Sequence, residues 1–247
     1  GNKVKKGHQA SIEDQSTTAE VFNTLDETAS RSEQWVEKNQ RIIFTGLIAV
    51  AAVILGFLAY NKYVMEPKEK EAANELAFPK SYFEQAQNNA AEADSLYALS
   101  LNGADGKYGL VDIADTYSST KAGNLAKYMS GIAYLKTGDY ENAIKYLSDF
   151  SSDDEMLSAI ALGNIGDAFI EINQPDDALE YYLKAAELRD NNFTTPFYLC
   201  KAGQTAMDLG KFSDAEKYFT RIKEEYVKSE EAKSINIYIQ RAQLANK

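Results

Sequence analysis

Cys200 and His8 are the single cysteine and the single histidine of this 247-residue chain, and between them they bound its chemistry. A thiolate–imidazole pair needs its two side chains within hydrogen-bond reach. His8 stands in a polar N-terminal stretch far from Cys200, so no Cys–His dyad, no Cys/His zinc cluster and no intramolecular disulfide is expected. Cys200 reads as a small helix residue without chemistry of its own. The acidic pairs Asp153–Asp154 and Asp176–Asp177 have the right type for acid–base or metal work. Both open predicted helices, where carboxylates favour the positive end of the helix dipole, and that structural role is the expected one. Asp105–Gly106 lacks the acidic spacing of a calcium loop. Asn192-Phe193-Thr194 has the form of a glycosylation sequon, a triplet common by chance. The sequence holds no Gly-rich phosphate loop, no HExxH and no nucleophile elbow. The expectation is a non-enzyme with no catalytic residue, no cofactor, no metal and no small-molecule substrate.

The elements that carry these residues follow from composition. Lys and Arg number 26 against 37 Asp and Glu, a net charge of −11. Residues 1–64 hold seven basic and seven acidic side chains, so the whole −11 lies in residues 65–247. An acidic domain repels phosphate backbones, which excludes nucleic acid as an expected partner. Four prolines and abundant Ala, Leu, Tyr and Glu favour an all-α fold.

"RIIFTGLIAVAAVILGFLAYNK", Arg41 to Lys62, breaks that pattern. Residues 42–60 are uncharged, and a helix of that length covers about 28 Å, close to a hydrocarbon core of ~30 Å. The 41 residues before it are polar, unlike a cleavable leader. Trp35 precedes it and Tyr60 and Tyr63 end it, the placement of interfacial aromatics. A single transmembrane helix is expected. Arg31, Lys38 and Arg41 on one side balance Lys62, Lys68 and Lys70 on the other. The cluster Lys3, Lys5 and Lys6 tips the N-terminus toward the cytoplasm, leaving the large C-terminal domain outside it.

Within the span Thr45, Ala49, Ala52, Gly56 and Ala59 form one helical stripe of small residues. Such a face suits docking on another membrane helix, where close backbone approach drives association; chance in a Gly/Ala-rich span is the alternative. Before the span, Phe22, Leu25, Ala29 and Val36 lie near one face with Trp35 beside them. The alternatives for residues 1–41 are an amphipathic helix on the membrane surface and a flexible solvated tail.

The remainder repeats itself. "GIAYLKTGDYENAIKYL" (131–147), "GDAFIEINQPDDALEYYLKA" (166–185) and "GQTAMDLGKFSDAEKYF" (203–219) align in phase. Gly131, Gly166 and Gly203 are 35 and 37 residues apart, and so are Ala143, Ala178 and Ala215. Each stretch reads as a helix, a turn near Gly138, Asn173 or Gly210, and a second helix. Asp139 and Ser213 are candidate N-caps and Pro175 suits a first helical turn. A period near 34 residues signals stacked helical hairpins.

These stretches resemble the tetratricopeptide repeat. The glycines match its small residue where paired helices touch, and Tyr134 and Phe169 match its first-helix aromatic. Ala143, Ala178 and Ala215 match its second-helix small residue, and Tyr182 and Phe219 its following bulky site, with Leu147 in the first unit. Ala206 departs, standing where an aromatic is expected. The expected fold is an all-α chain with a single transmembrane helix followed by a tetratricopeptide α-solenoid. Its expected parts are a polar tail 1–41, the span 42–60, a helical connector 61–80 and a repeat domain 81–247. Within the last, a degenerate hairpin occupies 81–118, the repeats about 123–226 and a capping helix 229–245.

The resemblance implies that first helices line a concave groove. It puts Tyr128, Ile132, Leu135 and Lys136 there in the first unit, then Asp167, Ile170 and Glu171, then Phe197, Cys200, Gln204, Met207 and Asp208. Those side chains suit an extended or partly unfolded chain with some positive charge; packing of Tyr128 and Phe197 on neighbouring helices is the alternative. With Lys136 the only basic member, a clamp for a C-terminal carboxylate is not expected. The layout, including "SEQWVEKNQ", resembles the YfgM-type ancillary subunits of the bacterial Sec translocon. That resemblance implies an inner-membrane protein with a periplasmic repeat domain and no catalysis. Its implied partners are a SecYEG-type channel, a membrane-anchored periplasmic chaperone or prolyl isomerase, and unfolded clients. The alternative is a scaffold of another envelope complex, for secretion or outer-membrane assembly.

Overall fold

The computed structural model describes the backbone of residues 10–247 and the side chains of residues 33–247. Lys3, Lys5, Lys6 and His8 lie outside the described residues, as do the side chains of Phe22, Leu25 and Ala29. The chain divides into two units, the first ending at Val64 and the second running Met65–Lys247. Among the described residues the regular structure is helical.

The first unit is one long helix, α1 (Ala10–Tyr60), after which five residues, Asn61–Met65, have the wider winding of a π-helix and reach the start of the second unit. The apolar stretch of α1 reaches a mean hydropathy of 2.7, with none of it buried, so one helix is long and apolar enough to cross a membrane. From Ile42 to Leu58 every large apolar side chain except the half-buried Ile43 is exposed. The one hydroxyl in the stretch, Thr45, donates back to the Arg41 carbonyl at 2.7 Å, so it needs no outside partner.

The second unit is a run of antiparallel pairs. Helices α2 (Glu66–Asn88) and α3 (Ala93–Asn102) form the first pair, and a short α4 (Leu110–Thr116) packs on the next helix. Then come α5 (Lys121–Thr137) with α6 (Tyr140–Ser148), α7 (Glu155–Glu171) with α8 (Pro175–Glu187), and α9 (Thr194–Asp208) with α10 (Phe212–Glu225). Helix α11 (Ile235–Ala245) covers α10, burying Ile235, Ile239 and Ala242. The expected boundary at 80/81 falls inside α2, which runs through Pro79. Pro67 sits in the first turn of α2, where a missing N–H costs nothing, and Pro79 is buried with its carbonyl accepting from Ser100 Oγ at 2.8 Å.

Local sequence explains where the helices stop. Gly138, Asn173 and Gly210 all have left-handed φ (81°, 58° and 70°), the conformation that ends a helix at little cost for Gly or Asn. Thr120 caps α5 through the Gly123 N–H, Asp139 caps α6 through the Asn142 N–H, and Asp154 caps α7 through the Met156 and Leu157 N–H groups. Pro175 opens α8. Ser213 does not cap α10: the left-handed Gly210 lets the helix begin at Phe212, so Ser213 lies inside its first turn.

The pairs α5/α6, α7/α8 and α9/α10 are each closed by a glycine. A Cβ on Gly131 would lie 2.4 Å from Leu147 Cγ, on Gly166 2.6 Å from a Tyr182 ring carbon, and on Gly203 2.3 Å from a Phe219 ring carbon. Between pairs the same device recurs: a Cβ on Gly163 would lie 2.0 Å from the ring of Tyr198 on α9. Ala143, Ala178 and Ala215 are fully buried at the matching approach from the second helices. Tyr134 stacks on Tyr146 at 5.7 Å and Phe169 meets Tyr181 at 5.3 Å; at the third equivalent position Ala206 leaves Tyr218 without a ring partner. Phe169 touches both halves of the core and joins them.

Ion pairs record the period. Glu155 pairs with Arg189 and Asp167 with Lys201, both 34 residues on; Asp176 pairs with Lys211, 35 on, and the Tyr226 hydroxyl donates to Asp190, 36 back. These links join equivalent places in successive repeats.

Gly166→Ala and Gly203→Ala are each expected to cost about 1–3 kcal/mol by overpacking, read from the urea midpoint. Adding Phe219→Leu to Gly203→Ala should make the pair less than additive, because the two share one contact. Asp154→Ala is expected to cost about 0.5–2 kcal/mol, while Ser213→Ala stays within about 0.5 kcal/mol, a contrast that thermal melts would check.

Candidate functional site

The side of the repeats formed by the first helices is the tighter one. Helix α7 approaches both α5 and α9 closely, whereas no comparable approach joins α6 to α8 or α8 to α10. The first helices therefore form the inner surface, and their outward residues recur in register: Ile132, Asp167, Gln204; Leu135, Ile170, Met207; Lys136, Glu171, Asp208.

The structure separates these residues. Ile132 is buried in the core, because α5 is also covered by α2 and α3, so it offers nothing to a ligand. Tyr128 is half-buried, its ring 5.1 Å from Phe150. Leu135 and Met207 are half-buried; Lys136, Ile170, Glu171, Gln204 and Asp208 are exposed. Asp167 is committed: it accepts from the Tyr182 hydroxyl at 2.6 Å and from Lys201 Nζ at 2.6 Å. That lysine lies over the rings of Tyr182 and Phe197, at 5.3 and 5.4 Å. Lys136 is thus not the only cation on this face. Lys201 was legible only through its spacing of 34 residues from Asp167.

Phe197 is 43% exposed and meets Tyr198 edge-on at 5.0 Å. One turn earlier Phe193, which sequence reasoning left in a sequon, is 75% exposed. Asn191 builds the start of α9, its Oδ1 accepting from the Phe193 and Thr194 N–H groups at 2.8 Å each. The Thr194 hydroxyl accepts from Asn191 Nδ2 at 2.6 Å. Tyr198 is only 5% exposed, and its hydroxyl lies across Gly163 in the field of Asp167 and Tyr128. Burial first, then Asp167, raises the Tyr198 hydroxyl pKa; Tyr182 is raised by burial and by its hydrogen bond to Asp167. Both stay protonated donors at any ordinary pH.

Three of the side chains singled out for reaction chemistry, Cys200, Asp154 and Asp176, have other roles. Cys200 is half-buried, burial pushes its thiol up, and Gln204 Nε2 donates to Sγ at 3.7 Å, an environment opposite to that of a reactive thiolate. Asp154 is a cap and Asp176 pairs with Lys211. Among the described residues no group of three or more His, Cys, Asp or Glu is placed to hold a metal ion. On the outer side, where α6 and α8 diverge, a cleft of about 290 Å³ is lined by Leu147, Phe150, Leu162, Ile165 and Tyr181.

On α1, Thr45, Ala49, Ala52, Gly56 and Ala59 are all exposed, and a Cβ on Gly56 would meet nothing within 4 Å.

A family model described as the tetratricopeptide repeat matches residues 128–193, from within α5 to the residue before α9. No curated protein matches the chain. The matched segment contains the pairs in which both the glycine contact and the ring contact are present, and stops before the unit that has Ala206. Among the described residues the chain is all-α, with tetratricopeptide-type helical repeats, a scaffold class that binds other proteins.

Proposed function

We propose that this chain is a membrane-anchored, non-catalytic adaptor, an accessory subunit of the bacterial Sec translocon. In this reading residues 42–60 cross the inner membrane, the N-terminus is cytoplasmic and the repeats are periplasmic. They hold a membrane-anchored chaperone or prolyl isomerase, or an emerging polypeptide, beside a SecYEG-type channel. The inner face from Tyr128 to Asp208 is the holding surface, and the stripe Thr45, Ala49, Ala52, Gly56 and Ala59 meets a helix of the channel.

One observation carries the reading: a single chain joins a helix with its apolar side chains uncovered to repeats of a protein-binding class. Moving one large apolar side chain out of water contributes ~1.5–3 kcal/mol, so uncovered residues from Ile42 to Leu58 strongly favour lipid. A tethered scaffold then needs little intrinsic affinity, because anchoring raises the effective concentration of a partner in the same membrane to about millimolar. Gly56 supports the stripe as a contact. A helical glycine costs ~1 kcal/mol relative to alanine, and among the described residues nothing approaches it closely enough to require one.

Affinity purification from detergent-solubilised membranes tests the assignment. Translocon subunits are expected in the eluate, and Ala52→Leu with Gly56→Leu should lower their recovery several-fold. Recovery of another envelope machine in their place, or unchanged recovery with the double variant, overturns it. Protease added to spheroplasts is expected to digest the repeats, and a resistant C-terminal unit overturns the topology.

A further inference from the structure

We propose that the outer face of α11 is a docking surface for an amphipathic helix of another protein, one with a carboxylate between two apolar side chains. The proposal does not depend on what the inner face holds.

Helix α11 packs on α10 and on the short 3-10 turn Glu231–Lys233, burying Ile235, Ile239 and Ala242. Its opposite side carries Ile237, Arg241 and Leu244, whose spacings of four and three put them on one helical face. Ile237 is 55% exposed and Leu244 68%, and no other helix of the second unit has two aliphatic side chains more than half exposed. The outer face of a helix that covers a repeat stack is ordinarily polar.

Charge also sets α11 apart. Residues 65–231 hold 16 basic and 30 acidic side chains, whereas residues 232–247 hold three basic and no acidic ones. Of those three, Lys233 pairs with Glu230. The other arginines of the second unit are paired too, Arg189 with Glu155 and Arg221 with Glu225. Arg241 has no ion pair among the described residues. Its guanidinium lies 5.8 Å from the centre of the Tyr238 ring, and that ring lies 5.3 Å from the fully buried Phe219. Two rings thus position a planar cation between Ile237 and Leu244, in a unit with an excess of carboxylates that supplies it none. A carboxylate from outside is its complement.

Composition identifies the kind of partner. Helix α11 has one Arg and no Lys, Asp or Glu, with Asn236, Gln240 and Gln243 as its amides. The cores of protein interfaces keep Arg and lose Lys, Asp and Glu, while helices that lie on lipid are rich in basic residues. The α11 of a second copy brings no carboxylate, so self-pairing would leave Arg241 unmet. From Ile237 to Leu244 the ridge spans about 10 Å, two turns at ~1.5 Å per residue. A partner helix laid along it in either direction places its own middle residue opposite Arg241.

Fluorescence anisotropy with the full chain in detergent tests the proposal. The probes are two labelled helical peptides with Leu at positions seven apart and either Glu or Lys four after the first. At physiological salt, where the overall negative charge of the unit is screened, the Glu peptide is expected to bind about tenfold tighter. Arg241→Gln should abolish that preference and Arg241→Glu reverse it, each with an unchanged urea midpoint. Ile237→Ser with Leu244→Ser should weaken both peptides. Equal affinities, binding of neither peptide, or a preference that survives Arg241→Glu overturns the proposal. A bimane on Gln240→Cys, in a Cys200→Ser background and in phosphatidylglycerol nanodiscs, reports what covers the face. Its emission is expected to shift to the blue only when the Glu peptide is added. A shift before peptide assigns the face to lipid, and one that grows with protein density assigns it to a second copy; either overturns the proposal.

Discussion

The second unit depends on a single steric arrangement, a glycine in a first helix lying flat against a large side chain of its partner. Gly131 meets Leu147, Gly166 meets Tyr182 and Gly203 meets Phe219, each closer than any Cβ would permit. A glycine inside a helix costs ~1 kcal/mol relative to alanine. Here the cost is offset by letting two backbones approach and by burying a whole ring. Once the approach is set, the turn between the helices has few solutions, and left-handed residues at Gly138, Asn173 and Gly210 supply one in each pair. Gly163 extends the arrangement from within pairs to between them, since only a glycine there lets Tyr198 cross α7.

Stacking then brings residues about 34 positions apart into register, and the charges exploit it. The pairs Glu155–Arg189, Asp167–Lys201 and Asp176–Lys211 link one repeat to the next. They are mostly exposed, so each contributes little energy, and their value lies in setting the alignment of neighbouring repeats.

The first unit answers to a different solvent. In α1 the backbone pairs internally and Thr45 bonds to its own helix, so an uncovered apolar surface is compatible with lipid and costly in water. Its stripe of small residues is exposed.

How much of this was legible in the sequence differs from residue to residue. Helix pairs, turns and the glycine–ring match were, because glycines, alanines and bulky residues recur at one spacing and each has a local physical role. The cap at Asp139, the helix start beside Asp154 and the opening of α8 at Pro175 were legible for the same reason. Ser213 was misread, since the preceding Gly210 decides where α10 begins. Helix α2 passes through Pro79 because burial and the Ser100 hydrogen bond outweigh a local helix breaker. Ile132 fits the groove register but is buried, because α2 and α3 cover α5 in a way no repeat pattern encodes. By itself the sequence determined what is periodic or local: an all-α fold, hairpins of about 35 residues and an apolar helix. Tertiary structure alone decided which inner-face groups are spent, as Asp167 is on Lys201 and Tyr182, and which are buried, as Ile132 is beneath α2 and α3. Pairing depends on distances between helices far apart in the chain, and a residue's type does not state which partner will arrive beside it.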